Sequence, residues 1–145
     1  MKRIPVIAIL SLAILIAACN KDKFQTKPRI EVKNYSSKEI PKNGVLILRL
    51  NYFDKEGDIG EGHFYMFRKR TNKVPANAEK PDVLNYTLPK FTNKDQGEIR
   101  MDLKEFDFLN EDTRENDTMF FRIAVTDRAG NTSDTLETDQ IVVIK

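Results

Sequence analysis

Asp54, Glu56 and Asp58 stand at alternate positions of one short glycine-containing stretch, Asp54-Lys55-Glu56-Gly57-Asp58-Ile59-Gly60. Carboxylate oxygens are hard donors, and Ca2+ takes about six to eight oxygens at about 2.3–2.6 Å, so three such side chains in one turn are half of a calcium shell. The stretch is not an EF-hand. Counted from Asp54, that loop needs glycine at its sixth position and glutamate at its twelfth, and the chain has Ile59 and Tyr65. The same residues also have a plainer use, because Asp side chains accept hydrogen bonds from backbone N–H groups in turns and Gly adopts positive φ. Both uses stand as readings. A carboxylate pair such as Asp54 and Asp58 is also the minimum for acid–base hydrolysis, but nothing near them in sequence tunes their acidity for it. His63, the only histidine, opens an apolar alternation with no serine or cysteine nucleophile beside it. The expectation is a protein that is not an enzyme.

The second residue with distinctive chemistry is Cys19, the only cysteine. It follows a basic start, Lys2-Arg3, and an apolar run over residues 4–18 broken only by Pro5 and Ser11. This is the make-up of a secretory signal peptide, and the run is shorter than the ~20 residues of a membrane-spanning helix. Ile16-Ala17-Ala18-Cys19 resembles the lipobox of bacterial lipoproteins. The resemblance implies diacylglyceryl transfer to the Cys19 sulfur, cleavage after Ala18 and acylation of the new amino terminus. It therefore implies a signal peptide over residues 1–18, a lipidated cysteine with a polar tether over 19–27, and a membrane as partner. Two or three acyl chains hold a protein stably at a bilayer where one does not. Asn20 stands where an aspartate marks inner-membrane retention in enteric bacteria, which points to the outer membrane of the cell envelope, with the leaflet left open.

Charge and composition then narrow the function classes. The chain has 24 basic and 22 acidic side chains, a net charge of +2. Lys2 and Arg3 account for that surplus, so residues 19–145 are formally neutral and give no basis for nucleic-acid binding. With its one thiol committed to lipid, the mature chain has none for an internal disulfide, a thiolate metal site or cysteine catalysis. A chain of this length holds a core without such aids, and no cofactor is required.

The elements that must position these residues are strands. Period-two alternation, the strand signature, marks residues 29–35, 45–53, 63–70, 98–104 and 118–127. A weaker strand over 83–88 lies between Pro81 and Pro89 and belongs at a sheet edge. An apolar strand over 141–144 is expected to be buried on both faces. Leu46, Leu48, Leu50 and Tyr52 share one face, as do Met119, Phe121, Ile123 and Val125. Phe64, Tyr65 and Phe67 occupy both faces of the third strand, so an aromatic remainder is available to a protein or glycan. Arg68, Lys69 and Arg70 form a basic cluster, expected to be a solvated strand end, with contact to an anionic glycan or lipid headgroup as the alternative. Seven short strands predict an all-β fold, a seven-stranded antiparallel sandwich over residues 28–145. A closed barrel carrying a small apolar ligand is the alternative.

A family resemblance sharpens this. Phe121-Arg122-Ile123-Ala124-Val125-Thr126-Asp127, running into Arg128-Ala129-Gly130-Asn131, resembles the last hairpin of bacterial immunoglobulin-like (fibronectin-III-like) repeats. Tyr52 to Gly60 is similar to a D-x-(D/E)-G-D-x-G turn of small surface lipoproteins of the Bacteroidota type. The resemblance implies an immunoglobulin-like sandwich in which the turn after the second strand and the loop after the sixth share one rim. Asp54, Glu56, Asp58, Asp127 and Asn131, with Asp95 and Asp134 close by, would then converge as a structural Ca2+ site. A fold of this kind implies no activity by itself. The expected role is a binding or accessory module at the cell envelope with a protein or glycan partner. The rim loops and the Thr71–Gly97 connection supply its contact surface.

Overall fold

The computed structural model describes residues 26–72, 82–92, 94–105 and 115–145. Cys19, the signal segment and most of the tether lie outside the described residues. The described chain is all-β. Nine strands run in order: β1 (Arg29–Tyr35), β2 (Glu39–Ile40), β3 (Val45–Phe53), β4 (His63–Arg70), β5 (Val83–Thr87), β6 (Gln96–Lys104), β7 (Asp117–Thr126), β8 (Leu136–Glu137) and β9 (Ile141–Val143). Among the described residues no helix is long and apolar enough to cross a membrane.

The strands form two sheets. One has the order β1-β3-β6; the other has β2-β9-β7-β4-β5, with β8 also paired to β7. Their inward faces share a single apolar core. Because side chains alternate across a strand, β3 buries Leu46, Leu48, Leu50 and Tyr52, and β7 buries Met119, Phe121, Ile123 and Val125, as the alternation predicts. Ile30, Ile99 and Leu103 add to the first sheet's inner face, and Ile40, Phe64, Met66, Ile141 and Val143 to that of the second. β3 pairs with β6 without interruption from Val45–Lys104 to Phe53–Gln96. Near the end of that ladder Gly97 faces Tyr52, and a Cβ added at Gly97 would lie 2.6 Å from the Tyr52 ring. The missing side chain is the space the ring occupies.

Several expectations need correction. Among the described residues the strands number nine rather than seven, because β2 and β8, two residues each, are too short to show a period. The sheets are not wholly antiparallel either, since β2 runs parallel to β9. The chain thus leaves the first sheet after β1 and enters the second at β2. The last strand is not buried on both faces: Ile141 and Val143 are buried, whereas Val142 is half-buried and Ile144 exposed. Of the basic cluster at residues 68–70 only Lys69 is exposed. Arg68 lies on the inward face of β4 with a fully buried side chain, and both Arg68 and Arg70 pair with Asp82, at 3.4 and 2.6 Å.

The last stretch of chain is one strand broken twice. Between the Thr126–Thr132 bridge and the Ile123–Leu136 pair, three steps along β7 match four along its partner. The same slip recurs between Arg122–Glu137 and Met119–Ile141. These are β-bulges, and a buried hydroxyl closes each. Ser133 Oγ accepts from the Val125 N–H at 3.0 Å while the Ser133 N–H donates to the Val125 carbonyl at 2.8 Å. Thr138 repeats the pattern on Phe121, with both bonds at 2.9 Å.

Removing either hydroxyl takes an acceptor from a buried N–H, which costs roughly 1–3 kcal/mol. Urea denaturation of Ser133→Ala and of Thr138→Val is therefore expected to give stabilities lower by that amount, with Thr138→Ser near the parent. Unchanged midpoints would show that the bulges do not depend on their hydroxyls.

Candidate functional site

The two loops of interest meet at one end of the sandwich. The first leaves β3 at Asp54, whose N–H donates to the Asp95 carbonyl at 2.7 Å. The Asp54 carbonyl accepts from the Gly57 N–H at 3.0 Å, and Asp54 Oδ2 accepts from the Asp58 N–H at 2.8 Å. Gly57 closes this turn at φ 68°, a conformation that costs glycine nothing. Ile59, the one aliphatic side chain in the turn, is 1% exposed and pins the loop into the core. The second loop leaves β7 at Asp127. Its N–H donates to the Asn131 carbonyl at 3.0 Å, while its carboxylate accepts twice from Asn131, from N–H at 2.8 Å and from Nδ2 at 2.9 Å. The Arg128 N–H donates to the Asp58 carbonyl at 3.2 Å and joins the loops. Their approach is tight, since a Cβ on Gly62 would lie 2.0 Å from the Thr126 carbonyl oxygen.

This geometry brings Asp54, Asp58 and Asp127 together, with one carboxylate oxygen of each within 4.8 Å of the others. Asp54 and Asp127 are buried, at 2% and 3% exposure, and Asp58 is half-buried. Glu56 points outward and is exposed, so it is not part of the group. Asn131 turns its amide nitrogen to Asp127 and acts by holding that carboxylate. Asp95 contributes its backbone carbonyl and not its exposed side chain, and Asp134 is exposed in an ion pair with Lys27. Turn-making accounts for Asp54 Oδ2 and for both oxygens of Asp127. It leaves Asp54 Oδ1 and Asp58 Oδ1, both buried and without a hydrogen-bond partner.

Burial pushes the Asp54 carboxyl above its usual range. The Asp58 N–H opposes that shift, and the charges of Asp58 and Asp127 reinforce it. Tyr52 is also raised, first by burial and then by the charges of Asp54 and Asp95. Such a cluster relieves its repulsion by taking up a proton or a cation.

Two further surfaces frame the site. On the outer face of the second sheet, Tyr65 and Phe67 of β4 are each 38% exposed and Val83 of β5, opposite Phe67, is 58% exposed. His63 is exposed beside Tyr65, its ring centroid 6.1 Å away. Phe120 adds a half-buried ring under the Arg122 guanidinium, which stands 5.7 Å from its centroid. The outer face of the first sheet is instead charged and self-paired: Lys33 bonds Glu98 at 2.6 Å and Arg100 bonds Asp102 at 2.8 Å. Where β5 and β6 leave the two sheets unjoined, a cleft of about 320 Å³ opens to solvent, lined in part by Phe64, Tyr86, Leu88, Phe91, Ile99 and Leu103. Sequence reasoning missed Val83 and the anchoring by Ile59. A lone aliphatic residue amid Asp and Gly was the available signal for the latter.

No family model matches the chain, and no curated protein matches it. Similar solved structures include a beta-glucosidase from Listeria innocua in complex with gluconolactone, with a TM-score of 0.45 and 12% identity over 82% of this chain and 16% of that chain. The same enzyme in complex with glucose gives 0.42 and 12% over the same shares. The soluble domain of PmoD from Methylocystis sp. ATCC 49242 (Rockwell) gives 0.34 and 13% over 80% of this chain and 90% of that chain. The chain thus spans 16% of the length of the beta-glucosidase. At these TM-scores the likenesses carry no function to it.

The raised Asp54 carboxyl has a stability consequence with a definite sign. Its folded value lies above the ordinary 3.8, so between the two the folded chain holds more protons than the unfolded one. Its contribution is complete below 3.8 and is lost as pH rises through the folded value. In chelator-treated protein, mild acidification from neutral pH is expected to raise the melting temperature of the parent relative to Asp54→Asn. At neutral pH Asp54→Asn is expected to melt several degrees higher, the response to ~1 kcal/mol from one regained hydrogen bond. Parallel melting profiles of the two proteins across that pH range would refute the assignment.

Proposed function

We propose that this chain is a lipid-anchored, non-enzymatic binding module of the bacterial cell envelope, built on an immunoglobulin-like sandwich and held at the outer membrane through Cys19. The strand order supports the fold assignment. β1-β3-β6 against β9-β7-β4-β5 matches the A-B-E and G-F-C-C′ sheets of that architecture, with the first strand divided between sheets as β1 and β2.

The observation that carries the binding role is the contrast between the two outer faces. One is largely covered by ion pairs, with Val45 its exposed apolar side chain, and the other presents Tyr65, Phe67 and Val83 on paired strands beside the Arg122–Glu137 pair. Aromatic side chains on a rigid scaffold are the usual anchors of protein contacts and stack equally on sugar rings. β5 falls within the connection expected to supply the contact surface. The chain enters the domain beside the acidic rim: Arg29 pairs with Phe53, next to Asp54, and Lys27 pairs with Asp134. A tether over residues 20–27 reaches at most ~26–29 Å, so this rim faces the membrane and the aromatic face looks sideways along it. The runner-up, a carrier of a small apolar ligand, rests on the open cleft between β5 and β6.

Two outcomes test the proposal. Mass spectrometry of protein from its host is expected to find a chain beginning at Cys19 with acyl mass on it, and Cys19→Ser is expected to leave the membrane fraction. In cross-linking on intact cells and in glycan-array binding, the double variant Tyr65→Ala/Phe67→Ala is expected to lose at least tenfold in capture while its melting temperature stays within a few degrees. Capture equal to that of the parent would remove the aromatic face from the proposal.

A further inference from the structure

We infer that Asp54, Asp58 and Asp127 hold one hard divalent cation of the Ca2+ class, which fastens the turn after β3 to the end of β7. The inference begins from unsatisfied atoms rather than from the number of acids. Asp54 is 2% exposed, and its Oδ1 has no hydrogen-bond partner; Asp58 Oδ1 is buried in the same state beside it. A buried polar atom without a partner is costly, and a buried anionic one more so. No basic side chain pairs with any of the three carboxylates among the described residues. The neighbouring Arg128 reaches Glu61 instead, at 3.6 Å.

The spacing suits this ion class. Two oxygens on opposite sides of one Ca2+ lie about 4.6–5.2 Å apart and neighbouring ones lie closer. The three carboxylate oxygens lie within 4.8 Å of one another, a spread that one calcium ion can span. The donors are carboxylate oxygens, the hard ligands that Ca2+ prefers over the nitrogen and sulfur chosen by softer metals. Water would fill the remaining positions of the shell. Asn131, by donating to both oxygens of Asp127, positions that carboxylate. Glu56 takes no part.

The competing explanation is a proton held on the Asp54 carboxyl, and the experiment separates the two. The full lipid-anchored chain, purified in detergent, is melted in EDTA, in CaCl2 and in MgCl2 at neutral pH. The melting temperature is expected to rise by several degrees with CaCl2, half-maximally between roughly 0.1 and 1 mM, the range of weak extracellular sites. The rise is expected to be at least tenfold less sensitive to MgCl2, absent in Asp58→Asn and intact in Glu56→Gln. Coincident melts in EDTA and CaCl2, an equal response to MgCl2, or a calcium response retained by Asp58→Asn would each overturn the inference. Should Asp58→Asn not fold, calorimetric titration of the parent with CaCl2 decides: a one-site isotherm upholds the cation, and the absence of heat overturns it.

Discussion

Everything in the second sheet hangs on the ten residues of β7, whose backbone must be paired on both edges while four of its side chains vanish into the core. Met119, Phe121, Ile123 and Val125 are fully buried, and truncating a side chain of that kind costs roughly 2–5 kcal/mol. A strand that is central and apolar on its inner face leaves no freedom of register, because a one-residue slip would turn all four outward. On one edge β4 satisfies it without interruption from His63–Thr126 to Arg70–Met119. On the other edge the chain must return from a tight loop, and it does so in three short pieces. Ser133 and Thr138 are the means of keeping that edge paired, since their hydroxyls accept the N–H groups that the bulges would strand.

The same constraint creates the acidic rim. β7 ends at Thr126 because Asp127 takes its next hydrogen bonds from its own loop, through Asn131. β4 begins opposite that point, at His63, and the turn leading into β4 must pass over the end of β7. Gly62 permits the passage, and Ile59 holds the turn down. The carboxylates of Asp54 and Asp58 are then brought against Asp127 by backbone geometry that has nothing to do with charge. The fold tolerates the repulsion because each carboxylate lies at a chain reversal. Turn-making therefore uses Asp54 Oδ2 and both oxygens of Asp127, and leaves Asp54 Oδ1 and Asp58 Oδ1 buried without partners.

Legibility in the sequence followed the length of each element. β1, β3, β4 and β7 were read almost to the residue, because seven to ten residues of alternation outweigh local noise. β2 and β8 were invisible: two residues have no period, and the parallel pairing of Glu39–Ile40 with Val142–Val143 is a non-local contact that no window contains. Arg68 misled because charge predicts exposure, whereas its position on the inward face of β4 and the nearby Asp82 carboxylate overrode that preference. In the acidic group, the sequence marked Asp54, Asp58 and Asp127 by type and by their place at strand ends. It could not separate them from Glu56, whose alternate spacing fits a strand and not the turn that forms. The hydrogen bond from the Asp58 N–H to Asp54 Oδ2 bends the chain so that Glu56 lies on the outside.

The place of the rim gives its chemistry a setting. On the proposed anchoring through Cys19, a chain entering beside Phe53 would put the acidic centre at the membrane side of the domain. The consequence for the binding face follows from the ladder, since Thr126, one residue before Asp127, pairs with His63, and the next outward position on β4 is Tyr65. Fixing the rim therefore fixes the root of the strand that presents the aromatic side chains. If the proposed cation and partner bind, that would lower the ordering entropy of the partner's binding without any direct contact to the ion. On this reading the anchor, the acidic centre and the aromatic face are successive stations along one path, and the hydrogen-bonded edge between β4 and β7 is what joins them.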